Sequence, residues 1–238
     1  MRVQDARGIL SRPAPRSPSV NVMKSLSAIP ESPVMASRRL SSVPFLVSML
    51  VWFAVACLVG VSGRVASLTP PQPQLMIAAL SVLLLVSGWV LPGLRAWLGQ
   101  VNLRGFVAFH VTRFVGIVFL MMSERGELSR EWALPAGWGD IGVATGALLI
   151  VIFIPRPDSR PDIVRLWNLI GLIDILAVVV TAARIGMREP QAIAPLLRFP
   201  MSLVPTFVVP IVFASHCWMA LRLQPRARPA AGMAPPAA

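Results

Sequence analysis

Five ionisable side chains stand inside long apolar runs of this 238-residue chain: His110, Arg113, Asp140, Asp174 and His216. An amide, Asn168, joins them in R-L-W-N-L-I-G-L-I-D at 165–174. Their types allow little chemistry. An arginine facing a carboxylate forms an ion pair, which either fixes helix register or relays a proton or ion. Two histidines on different helices, His110 and His216, could ligate a b-type haem axially. The plainer reading is hydrogen-bonded packing. A divalent metal would want a third good ligand, so no metal site is expected. No Ser-His-Asp, Cys-His or paired-carboxylate constellation is visible, and G-x-S-x-G and H-E-x-x-H are absent. No catalytic residue is assigned, and an enzyme is the less expected class.

The elements that must position these groups follow from composition. The chain is 55% hydrophobic and 13% charged, with a mean hydropathy of +0.71. A soluble domain would carry roughly 25% charge. The deficit falls in six apolar runs near 43–62, 74–91, 105–122, 137–154, 164–183 and 200–221. Each approaches the ~20 residues that cross a hydrocarbon core, and spans in lipid must be helical. The fold class is therefore an all-α, six-span polytopic membrane protein. Residues 1–42, rich in Arg, Ser and Pro, and residues 223–238 are expected to be disordered tails. Met35 opens M-A-S-R-R-L, a candidate alternative start. S-R-R-L-S and F-A-V-A-C only loosely resemble a twin-arginine signal and a lipoprotein box, and are set aside.

The net charge of +12 does not point to nucleic acid, because the basic residues gather at span ends and in the tails. They report orientation instead. With the amino terminus inside, fifteen lie inside: seven in the tail, then Arg95, Arg104, Arg156, Arg160, Arg165, Arg222, Arg226 and Arg228. Six lie outside: Arg64, Arg125, Arg130, Arg184, Arg188 and Arg198. Both termini are thus expected in the cytoplasm, in a bacterial inner membrane. The lipid bilayer is the expected partner, with a homo-oligomer or other membrane subunits beside it. Six tryptophans (Trp89, Trp97, Trp132, Trp138, Trp167 and Trp218) fall near span ends as an aromatic belt would.

Depths follow from a rise of ~1.5 Å per residue. Arg113 and Asp174 match near the midplane, and an exchange of their charges should restore folding lost in either single variant. His110, Asn168 and His216 form a second, inner layer. Asp140 opens the fourth span and pairs with Arg198 at the outer interface, or simply sits at a helix amino terminus. Gly137, Gly139 and Gly142 spell G-x-G-x-x-G without the strand that a dinucleotide site needs. Gly142 and Gly146 read as a helix-packing G-x-x-x-G. Pro205 and Pro210 should kink the sixth span. Cys57 and Cys217 read as buried apolar side chains.

A-G-W-G-D at 136–140, W-N-L-I-G-L-I-D at 167–174 and F-P-M-S-L-V-P-T-F-V-V-P at 199–210 are similar to a group of uncharacterised bacterial multi-pass membrane proteins. The resemblance covers about 105–222. It implies a membrane fold of about six spans and transfers no activity. Small-solute, ion or proton handling through a polar core of spans three to six is the best reading. A structural or assembly subunit comes next, and a haem or redox protein last.

Overall fold

A computed structural model describes residues 42–224, so the two tails expected to be disordered lie almost wholly outside the described residues. All regular structure among the described residues is helical. Six helices are long and apolar enough to cross a membrane: Val43–Val61, Gln72–Val90, Leu103–Glu124, Arg130–Phe153, Pro161–Arg188 and Val204–Arg222. They suggest a multi-pass membrane protein. We label α1 (Val43–Val61), α2 (Gln72–Val90) and a short connecting α3 (Pro92–Gln100). The third span is α4 (Leu103–Phe109) and α5 (Gly116–Glu124), joined by a 3₁₀ stretch, His110–Val115. Then come α6 (Arg130–Phe153), α7 (Pro161–Arg188) and α8 (Val209–Arg222).

The 3₁₀ stretch carries the site. At three residues per turn, positions i and i+3 superpose. His110 and Arg113 therefore point the same way, and both are fully buried. The buried positions Val107, His110, Arg113, Gly116, Phe119 and Met122 recur every third residue through the break.

The fourth span starts seven residues before its expected limit of 137. Backbone anchoring draws it out: Ser129 N–H donates to Ala192 O, and the indole of buried Trp132 donates to Val178 O at 3.1 Å. Pro135 lies inside the helix, in its second turn, where it forgoes the backbone bond to the Glu131 carbonyl. The sixth span opens as a π-helical turn, Val204–Val208, at the prolines expected to kink it. Pro205 and Pro210 have no N–H to give, which favours a departure from the regular ladder there.

Apolar packing divides along the bundle. Leu103, Val107, Ala147, Val164, Trp167 and Met219 fill one end. Phe119, Trp132, Ala133, Ala136, Ile185 and Leu196 fill the other. The buried polar groups lie between. α1 stands apart from this core, with only Ala56 and Gly60 buried. α2 buries only Pro73, Ser81 and Gly88 but packs on the sixth span, with Gly88 against Trp218 and Ile77 beside Ile175, Val209 and Val212. α1 meets the sixth span through Trp52 and Phe53, whose rings lie 5.2 and 5.3 Å from that of Phe207.

Candidate functional site

Arg113, Asp140 and Asp174 each lie within two residues of the midpoint of their span. Arg113 is 1% exposed and reaches both carboxylates. Its Nε donates to Asp140 Oδ1 at 2.5 Å, its Nη2 to Asp174 Oδ2, and its Nη1 to Gly171 O at 3.3 Å. The structure thus brings Arg113 to Asp174 and adds Asp140. This corrects the Asp140–Arg198 pair, since Arg198 is exposed and Asp140 is buried on Arg113. The cause is the early start of α6, which places Asp140 about 15 Å from the helix start at ~1.5 Å per residue. It also corrects the absence of paired carboxylates, because two acids share one cation. With both ionised, the three side chains carry a net charge of −1.

Glycines make the approach possible. A Cβ on Gly139 would run into the Asp174 carboxylate, and one on Gly171 would run into the His216 ring. The G-x-x-x-G reading changes accordingly. Gly142 faces open space, while Gly146 lies under Trp167.

The histidine layer lies nearly two turns away along α7, counted from Asp174 to Asn168. His110 and His216 are fully buried, with ring centroids 4.1 Å apart and planes tilted by 36°. Asn168 clamps α8 twice. Its Nδ2 donates to His216 O at 3.1 Å, and its Oδ1 lies 2.8 Å from His216 Nδ1. Ser215 Oγ lies 3.1 Å from His110 Nε2 and donates to Val212 O at 2.8 Å. With the hydroxyl hydrogen on Val212 O, His110 is the tautomer that carries its proton on Nε2. The Asn168 oxygen can only accept, so His216 holds its proton on Nδ1. His110 Nδ1 and His216 Nε2 are left as bare, buried acceptors.

Haem does not fit this pair. Metal–nitrogen bonds of about 2.0–2.1 Å put two axial nitrogens about 4 Å apart, with both ring centroids farther out. Here the centroids themselves are 4.1 Å apart, which leaves no room for a porphyrin between the rings. No cluster of three or more His, Cys, Asp or Glu suited to a metal occurs among the described residues.

A cavity of about 70 Å³ leads to the triad from the end of the bundle that holds Trp132 and Leu196. Arg113 and Asp140 lie in its wall, as does Gln74, whose Oε1 is buried without a partner. An apolar crevice of about 360 Å³ lies toward the opposite end, among Phe45, Trp97, Phe106 and Trp218, and touches Ser215. The π turn separates the two: Val204, Pro205 and Val208 face the cavity, and Phe207 the crevice.

Comparison with known proteins places this core. The chain belongs to the family described as a domain of unknown function, DUF8737, whose model matches residues 70–224. The DUF8737 region holds every residue of the triad and of the histidine layer and leaves α1 outside. Neither any curated protein nor any solved structure matches the chain.

Sequence reasoning did not find Gly139, Gly171, Ser215 or Gln74 as parts of the site. Ser215 adjoins His216, and Gly171 stands midway between Asn168 and Asp174 at i,i+3 spacing, which was the available signal. Gln74, one of two glutamines at the start of α2, had none.

Proposed function

We propose that this is a multi-pass protein of a bacterial cytoplasmic membrane, with both termini in the cytoplasm, which handles a small solute, ion or proton through its core. One observation supports this most: a fully buried arginine shared by two carboxylates at mid-span, beside a cavity. A charge at the centre of a span costs roughly 2.5–3.5 kcal/mol on insertion scales. A pure structural lock needs one carboxylate per arginine. The second leaves a charge that only a proton or a cation can balance, and an exchangeable balancing charge is what a relay requires.

The test is a strain that lacks the gene, supplied with wild type or Asp174→Asn at equal membrane abundance. The variant should insert and fold yet fail to complement the deletion phenotype. Full complementation overturns the reading.

A second reading rests on the lipid-facing surface of α1 and α2, where Leu50, Leu58, Leu75 and Leu83 are all exposed. Such a face suits a second copy or another membrane subunit, as an assembly protein would need. Crosslinking in native membranes through cysteines at these positions should then give defined dimers or heteromers.

A further inference from the structure

The polar atoms left unpaired inside the bundle share a character. Gln74 Oε1, His110 Nδ1 and His216 Nε2 are buried without partners, and each is an acceptor with no hydrogen to give. The other two such atoms among the described residues are the hydroxyls of Ser123 and Ser202. The donors at the site are already committed: Arg113 to two carboxylates and a carbonyl, and the Trp132 indole to Val178 O. A buried acceptor left unpaired forfeits the hydrogen bonds it would make to water. These three acceptors find no protein donor, and the unspent hydroxyls of Ser123 and Ser202 lie elsewhere in the bundle.

The core also lacks positive charge. With both carboxylates ionised, the triad carries one negative charge beyond what Arg113 neutralises. An anion entering the cavity would meet an Arg113 already paired to two carboxylates, with Asp140 beside it in the wall. An alkali cation would balance the charge and could take the amide oxygen, but imidazole nitrogen is a poor ligand for so hard an ion. A cation with its own O–H or N–H groups answers both deficits. Size narrows it further, because a space of about 70 Å³ holds two or so water-sized groups at ~30 Å³ each.

The acceptors are also ordered in space. Gln74 and Asp140 line the cavity. Asp174 shares Arg113 with Asp140, and the carbonyl of Gly171 accepts from the same guanidinium. The His216 ring lies against the Cα of Gly171, with Nε2 2.8 Å from where a Cβ would stand. His110 is stacked on His216 beyond.

We infer that the cargo is a small protic monovalent cation, hydronium or ammonium, received at Gln74 and Asp140 and passed by way of Asp174 to the histidine pair. This rests on the solute-handling reading above and gives it a chemical class. As the Nε2–H and Nδ1–H tautomers, His110 and His216 present lone pairs to the cargo: ammonium would be held there by hydrogen bonds, whereas hydronium would leave its proton, and with it the charge, on an imidazole.

The full-length protein, reconstituted in liposomes on a solid-supported membrane, tests this by charge displacement. Sodium is exchanged for ammonium at constant pH, or the pH is lowered in ammonium-free buffer. Displacement of positive charge is expected in at least one arm, with none for potassium or choline. A response to ammonium alone assigns ammonium, and a response to acid alone assigns hydronium. Asp174→Asn should lose the signal. Gln74→Leu, which leaves the triad intact and removes only a half-buried acceptor, should weaken it. An equal response to potassium, a negative displacement, no displacement with any cation, or an unchanged signal in both variants would overturn the inference. Uptake of methylammonium or protons into the same liposomes separates the two readings. Displacement without net flux keeps the cargo class and removes transport. Flux of another solute without displacement does the reverse.

Discussion

At the residue scale, Arg113 is the hub, and its loss is predicted to be the most damaging single change. Removing one partner of a buried ion pair costs about 3–5 kcal/mol. Arg113→Leu should therefore unfold far below wild type in detergent, followed by tryptophan fluorescence. Adding Asp140→Asn and Asp174→Asn should recover much of that loss, because no buried charge then remains unpaired. The simple charge exchange between Arg113 and Asp174 should not recover folding, since the new acid at 113 would face Asp140. Glycines give a graded comparison. Gly171→Ala overpacks against His216 and should cost about 1–3 kcal/mol. Gly142→Ala meets open space and should gain about 0.5–1 kcal/mol from helix propensity. Thermal midpoints of the two variants should move in opposite directions. Of this site, the matching depths of Arg113 and Asp174 and of the two histidines were legible by counting residues along spans. The glycine contacts were not, because a missing side chain leaves no hydropathy signal.

At the element scale, the long helices are legible and their irregularities are not. Six apolar runs mark six helices because lipid-compatible length and hydropathy are properties of composition. The start of α6 was misplaced because Arg130, Glu131 and Pro135 read as loop, although tertiary hydrogen bonds to Ser129 and Trp132 override that local preference. The same bonding recasts the tryptophans. Trp132 and Trp167 are buried and donate to backbone carbonyls, so they pin helices rather than ring the membrane. The early start has a measurable consequence. A spin label at Trp138→Cys, a lipid-exposed site, should sit about 12 Å into the span at ~1.5 Å per residue. Oxygen should then relax it more strongly than a polar nickel complex does. The reverse would return residue 138 to the interface.

At the scale of the whole molecule, threading is the property that remains to be measured. The excess of basic residues on one side predicts an active periplasmic phosphatase fused after residue 68 and an inactive one after residue 158. The opposite pattern would invert the bundle and with it the direction of the proposed path. The geometry of the third span bears on that path too. Each three-residue step of an α-helix falls short of a full circle by about 60°. A 3₁₀ turn closes the circle. The steps from His110 to Arg113 and from Arg113 to Gly116 therefore add no lag, and the two halves of the span are held about 120° out of phase with a continuous helix. Rewinding those six residues as α-helix would also shorten the span by about 3 Å. Any change of winding there would turn Arg113 relative to His110 and draw α4 and α5 together at once.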